Sequence, residues 1–264
     1  MERLGEYVYV NRIEAQGYSI TSGLVLTPTR AFVFDTSINP QAMAPVLEMI
    51  SEAEGQRRIV VINSHHHWDH VYGNMAFAGR DIVAHRTCLR LMISQGRSSD
   101  DKIPLQPTEG VAFPTVSFGD RLTYIDEVET VHLIHTPGHS EDSIIMYLDK
   151  ARVLLAGDTV EWPIPSLTMR DGKDSYIRTL RQLKQLPVDT VVPTHGPWMG
   201  KAIIDANERY ILTMYDAVKE AKDRGVTRHK LDLPAEAFAS EGVTIDDVYR
   251  RQHAENLHLA YDEV

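Results

Sequence analysis

Four histidines and an aspartate fall within six residues in the run His65-His66-His67-Trp68-Asp69-His70, directly after the apolar stretch Ile59-Val60-Val61-Ile62. Imidazole and carboxylate are the usual ligands of zinc-like divalent cations, and no packing argument asks for so many of them together. A β-branched run bounded by polar residues reads as a buried strand, which delivers these side chains to its carboxyl end, where open α/β sheets place their sites. His65 and His67 share one side of an extended segment, whereas Asp69 and His70 follow a turn and can reach a second point in space. The spacing therefore suggests two metals.

Three later motifs extend the pattern: Thr136-Pro137-Gly138-His139-Ser140, Ala156-Gly157-Asp158-Thr159 and Val192-Pro193-Thr194-His195-Gly196-Pro197. With His65-x-His67-x-Asp69-His70 they resemble, in their usual order, the ligand motifs of the metallo-β-lactamase superfamily, hydrolases with an αββα sandwich. The likeness runs from the first strands to His195. Carried over motif by motif, it implies that His65, His67 and His139 hold a first metal, that Asp69, His70 and His195 hold a second, and that Asp158 bridges them. Zinc is the default, and manganese, iron or cobalt also suit an all-histidine and carboxylate set. Two such ions about 3.5–4 Å apart bring the pKa of a shared water toward about 7, so a bridging hydroxide could attack a small ester, thioester or lactone. The resemblance gives Asp69 a catalytic role as the group that shuttles a proton to the leaving atom.

Within the superfamily, Ser64 to His70 followed by Gly73-Asn74 is especially similar to glyoxalase II. After Asp158 that family carries a Cys-Gly-Arg or Cys-Gly-Lys segment for glutathione, whereas this chain runs Thr159-Val160-Glu161-Trp162-Pro163-Ile164-Pro165. Acyl-homoserine lactonases share all seven ligands but have a tyrosine where Glu161 stands. True β-lactamases lack the bridging carboxylate, which leaves β-lactam hydrolysis as a side activity. A mononuclear, iron-dependent persulfide dioxygenase is the alternative from another reaction class; such enzymes do not use the last histidine, which is intact here.

Other residues near the motifs carry two readings each. Tyr72, Trp162 and Trp198 line the pocket or simply pack, and Glu161 is a polar group of the site or a solvated loop carboxylate. His66 and Trp68 face away from the ligands. His132 and His135 are strand residues; His85, His229, His253 and His258 are surface or core fillers, with His253 and His258 also candidates for the substrate mouth. Cys88 reads as a small buried hydrophobe rather than a nucleophile.

The elements that must position these groups begin with a β-meander: Tyr7 to Val10, Tyr18 to Leu26 and Ala31 to Asp35, with a hairpin turn at Thr27-Pro28-Thr29-Arg30. Asn39 caps a helix with Pro40 at its first position, and Gly55 stops it. The strand Ile59 to Asn63, a short helix Val71 to Phe77, a strand Asp81 to Ala84 and a helix Thr87 to Ser94 follow. Gln95 to Phe118 is a long, breaker-rich loop expected to face the substrate. A second strand set comprises Arg121 to Ile125, Thr130 to His135, Ser143 to Leu148 and Arg152 to Ala156; a helix Asp174 to Leu186 and a strand Thr190 to Pro193 complete it. The fold class is α/β (α+β), a four-layer αββα sandwich: one domain over 1–264, with a core over 1–200 and a C-terminal helical extension over 201–264. That extension reads as a helix from Ala202 to Arg224 and a pair of helical pieces between Ile245 and Glu263.

The 264-residue chain, 43% hydrophobic and 24% charged, can bury a sizeable core without staples. Its net charge of −10 repels polyanions, and its arginines are dispersed, so no nucleic acid is expected and the nuclease branches are disfavoured. The single cysteine excludes an internal disulfide, and no apolar stretch is long enough for a membrane span. The beginning, Met1-Glu2-Arg3-Leu4-Gly5-Glu6, lacks a basic region followed by an apolar one, which fits a cytoplasmic protein. The expected partner is a small-molecule substrate. The apolar stripe of the C-terminal helix makes a homodimer contact a further candidate.

Overall fold

The computed structural model describes residues 1–53, 55–95 and 110–264. Two sheets face each other. The first has seven strands in sequence order: β1 (Glu2–Arg3), β2 (Val8–Ala15), β3 (Tyr18–Leu26), β4 (Arg30–Phe34), β5 (Arg58–Ile62), β6 (Asp81–His85) and β7 (Val116–Phe118). Hairpins make β1 to β4 antiparallel, and β4 to β7 run parallel. The second sheet has the order β12-β11-β10-β9-β8, from β8 (Arg121–Ile125), β9 (Thr130–His135), β10 (Ile144–Leu148), β11 (Val153–Gly157) and β12 (Thr190–Pro193). Only its β11–β12 pair is parallel.

Period-two alternation divides the core into layers. Phe32, Phe34, Val60 and Ile62 point inward and meet Leu133, Ile144, Met146 and Leu155 of the other sheet. Their neighbours Ala31, Val33 and Val61 point outward and pack beneath Met43, Val46 and Phe77. In the second sheet Ile145, Tyr147 and Leu154 face out toward the helices α4 (Lys173–Leu183) and α5 (Ala202–Asp223). Both faces of β5 and β10 are therefore covered, which is why their sequences are continuous apolar runs rather than alternating ones. Each fully buried Val, Ile or Leu contributes about 1.5–3 kcal/mol.

The shorter helices sit above the first sheet. Asn39 Oδ1 accepts the Ala42 N–H at 2.9 Å and starts a 3-10 turn, Pro40–Met43, that continues as α1 (Ala44–Glu52). After β5 come α2 (Trp68–Val71), a 3-10 turn over Tyr72–Phe77 and, beyond β6, α3 (Cys88–Gln95).

Three expectations change. The loop assigned to Gln95–Phe118 ends in the edge strand β7, whose three residues pair with Val83–His85 and are too few to show a periodicity; its part at 96–109 lies outside the described residues. β1, of two residues, is shorter still and has no sequence signal of its own. The expected pair of helical pieces near the C-terminus is one helix, α6 (Asp247–Glu263), capped by Asp246, whose Oδ1 accepts the N–H groups of Val248 and Tyr249. Its apolar residues Tyr249, Leu257 and Ala260 are buried in the same core as α5.

Candidate metal centre

Every motif ends at the same edge of the sandwich because its strand does. β5 runs through Asn63 and Ser64 into His65. The neighbouring parallel strand β4 delivers Asp35, whose Oδ1 accepts the Ser64 N–H at 2.7 Å and whose Oδ2 lies 2.8 Å from His70 Nδ1. Asp35 holds a left-handed backbone at φ 61°, a conformation Asp tolerates better than most residues. α2 then lifts Asp69 and His70 over the end of β5. His139 sits in the β9–β10 turn, Asp158 directly after β11, and His195 two residues beyond β12. Gly157 is required by a close approach: its φ is 55°, and a Cβ there would lie 2.8 Å from the Ser64 Cβ.

The seven motif residues converge as two groups. One ligand atom from each of His65, His67, His139 and Asp158, and from each of Asp69, His70 and His195, lies within 4.8 Å of the others in its group. His67 Nδ1 is 2.8 Å from His65 Nε2 and 3.0 Å from His139 Nε2. Asp158 Oδ2 is 3.8 Å from His65 Nε2 and 3.6 Å from His139 Nε2 on one side, and 3.2 Å from His70 Nε2 and 3.5 Å from His195 Nε2 on the other. Asp69 Oδ2 completes the second group, 3.2 Å from His195 Nε2 and 3.6 Å from His70 Nε2. Ligands bound tetrahedrally at 2.0–2.1 Å stand about 3.3–3.4 Å apart, so these spacings suit a cation in each group.

Tautomers support the same fit. His139 Nδ1 lies 3.1 Å from the Ser166 carbonyl and His195 Nδ1 lies 2.9 Å from the Ser19 carbonyl. A carbonyl can only accept, so each Nδ1 carries a hydrogen, and in the neutral ring each Nε2 turns a lone pair toward the carboxylates. Such a lone pair facing a carboxylate is repulsive unless a cation or a proton lies between them. His70 Nε2 and Asp158 Oδ1 are buried and have no hydrogen-bond partner among the described residues. Outer carboxylates and carbonyls of this kind commonly orient metal-bound imidazoles.

The protonation preferences follow from the surroundings. Burial holds His65, His67 and His139 below the ordinary histidine range. Burial also opposes charge on His70 and His195, but the Asp158 and Asp69 carboxylates outweigh it and hold both imidazoles well above that range. In turn, His70 and His195 overcome burial and keep Asp69 below, and Asp158 well below, the ordinary carboxylate value. Divalent cations would replace the protons that these groups otherwise compete for.

Several neighbours settle into one of their two readings. Glu161 is buried, not solvated: its Oε1 accepts the Ser166 N–H at 2.8 Å and lies 3.7 Å from His139 Nδ1. Burial and the Asp158 carboxylate push it up to about 8. A ligand atom of Glu161 also lies within 4.8 Å of Asp158 and His195. His66 turns from the cluster to place Nδ1 2.9 Å from Asp142 Oδ1. Tyr72 and Trp68 pack beside Cys88, which is free and buried. The Trp162 side chain packs against the core beneath α4 and α5 while its main-chain N–H donates to the His195 carbonyl, whereas Trp198 is exposed and donates its indole N–H to Glu2. His253 does not face the mouth; it is buried against Tyr210. Ser64 belongs to the motif read in the sequence, whereas the roles of Asp35 and Ser166 have no motif there; only Asp35, a lone carboxylate closing an apolar strand, carries a signal.

Residues 15–195 match the profile of the Metallo-beta-lactamase superfamily, and the chain belongs to it. It is 29% identical over 177 residues to a hydroxyacylglutathione hydrolase of Synechococcus sp. (strain JA-2-3B'a(2-13)), covering 67% of this chain and 62% of that one. It is 26% identical over 220 residues to the metallo-beta-lactamase type 2 of Bacillus cereus, covering 81% and 72%. The metallo-beta-lactamase from Pontibacter korlensis superposes with a TM-score of 0.63 at 20% identity, over 77% of this chain and 94% of that one. DIM-1 metallo-beta-lactamase gives 0.65 at 16% identity, over 80% and 96%. These solved structures share the αββα fold. The chain spans about 62% of the length of the first hydroxyacylglutathione hydrolase relatives.

Proposed function

We propose that the chain is a hydrolase of small ester-like, thioester-like or lactone-like compounds that works with two divalent cations, zinc by default. The observation that carries this reading is the position of Asp158 Oδ2, within 3.8 Å of imidazoles from both groups. His65, His67 and His139 would hold one ion, Asp69, His70 and His195 the other, and Asp158 both. Bound there, the ions would polarise the substrate carbonyl and lower the pKa of water toward about 7.

The chain's own residues orient and move protons. Ser166, Ser19 and Asp35 lock the imidazole rings. Asp69, kept ionised by His70 and His195, accepts the proton that the attacking water loses and returns it to the departing oxygen or sulfur. The Thr159–Pro165 loop lacks the glutathione-reading segment of the hydroxyacylglutathione hydrolases, which turns the proposal away from glutathione thioesters. His195 stands beside Asp69 and Asp158, an arrangement that a mononuclear iron oxidoreductase would not use. A net charge of −10 leaves no nucleic acid among the proposed partners. The single buried Cys88 fits a reducing compartment, and we place the protein in the cytoplasm on that ground. Among the described residues no helix is long and apolar enough to cross a membrane.

The test is a hydrolysis screen across thioesters, aryl esters, lactones, phosphodiesters and β-lactams, run with the Asp158→Ala variant in parallel. Carbonyl turnover is expected to fall by about 100- to 1,000-fold in the variant, on the scale of removing one strong electrostatic contributor. Phosphodiester cleavage without carbonyl turnover would overturn the substrate class.

A further inference from the structure

The C-terminal helices reach the His139 side of the candidate metal centre through a short strap. Asn207 of α5 pairs with both backbone groups of Glu161: its Oδ1 accepts the Glu161 N–H at 2.9 Å and its Nδ2 donates to the Glu161 carbonyl at 2.8 Å. Asn256 of α6 does the same further along. Its Oδ1 accepts the Leu167 N–H at 2.9 Å and its Nδ2 donates to the Pro165 carbonyl at 2.8 Å. Ser166 sits between the two residues that Asn256 holds; its carbonyl accepts the His139 Nδ1–H at 3.1 Å and its N–H donates to Glu161 Oε1 at 2.8 Å. Thr168 donates its hydroxyl to the His139 carbonyl.

The Asn256 amide is itself held in one orientation. The Leu233 carbonyl can only accept, so His253 Nε2, 2.9 Å away, carries the hydrogen and leaves Nδ1 as acceptor. Nδ1 lies 2.8 Å from the Tyr210 hydroxyl, which must donate to it. The Tyr210 oxygen then accepts the second Asn256 Nδ2 hydrogen at 2.9 Å. Asn207, Asn256, Tyr210 and His253 are all buried, at 0%, 0%, 1% and 3% exposure, so water cannot substitute for any link. The direction of every bond is set from Leu233 to the His139 ring.

We propose that Asn256 and Asn207 are positioning residues for His139, so that the C-terminal helices govern cation affinity at the His65/His67/His139 group. The inference rests on the assignment of that group as a metal site. Outer residues that orient metal-bound imidazoles change affinity by about 10–100-fold when altered. Asn256→Asp keeps the shape but sets an acceptor against the Pro165 carbonyl, which frees Ser166 to rotate away from His139.

The full-length chain is titrated with cobalt(II) against a competing chelator, and the His139 tautomer of the metal-free protein is read from its imidazole ¹⁵N shifts. In Asn256→Asp one of the two cobalt affinities is expected to weaken about 10–100-fold while the other holds, and the Nδ1–H tautomer of His139 to lose its dominance. Tyr210→Phe removes one link and should move both readouts the same way by less; if Asn256→Asp does not fold, this milder variant decides. Folded variants with both affinities and the tautomer unchanged would overturn the proposal. A wild-type chain that takes up no cobalt would sink the metal assignment instead, and the tautomer measurement would still decide the positioning role.

Discussion

Gly73 offers a sharp geometric test of how the second group is held. It lies in the 3-10 turn after α2, and a Cβ added there would come 1.8 Å from the Thr36 carbonyl oxygen and 2.9 Å from that of Asn39. Ordinary contact begins at 3.4 Å, so about 1.6 Å of separation would have to open against main chain, which cannot rotate aside as a side chain can. Thr36 is no bystander: its N–H donates to the His70 carbonyl at 2.9 Å, and its Oγ1 lies 2.8 Å from Asn74 Oδ1. Opening the gap therefore drags His70. Overpacking of this kind costs about 1–3 kcal/mol, and with backbone on both sides the upper end applies; for a chain of this size that lowers the melting temperature by roughly 5–10 °C. A displacement of about 1 Å in a site of this kind costs on the order of 100-fold in turnover. Gly73→Ala would be compared with wild type by thermal melting, bound-metal analysis and kcat/KM. Gly5→Ala serves as control, because among the described residues its Cβ meets only Val8 at 4.0 Å. A Gly73→Ala protein with wild-type melting, metal content and turnover would refute the reasoning.

Two further outcomes follow from the site and its surroundings. Cations that bind only the folded chain stabilise it by about 2.7 kcal/mol at one hundred times their Kd, so chelation should lower the melting temperature by roughly 5–10 °C and zinc should restore it; no shift in either direction would contradict the cluster's assignment. His85 is buried and stacks on His135 with ring centroids 3.9 Å apart, and burial followed by His135 pulls it from 6.5 down to about 4. The unfolded chain takes up this proton below about 6.5 and the folded chain only below about 4, so stability falls as the pH drops through that window. Asp142 and Glu141 oppose the shift, and Arg86 adds to it. Denaturant unfolding of His85→Phe between those pH values should show a shallower loss than wild type, and an equal slope would exclude His85 as its source.

Much of the architecture was legible because local pattern and burial agree. Arg121–Ile125, Thr130–His135 and Thr190–Pro193 fall where alternation or β-branched runs place them, and the histidines follow the one run that had to be a buried strand. Strands of two or three residues, such as β1 and β7, carry no period and exist only because a neighbour offers a ladder.

By itself the sequence determined which donor groups are present, their order and the strand ends that carry them, because residue chemistry and hydrophobic period are local properties. Tertiary structure alone decided that Glu161 is buried, that Asp35 meets His70, and that Asn256 grips Leu167 across 89 residues of chain. Those pairings arise where two sheets and two helices close over one edge, and no spacing along the chain encodes them.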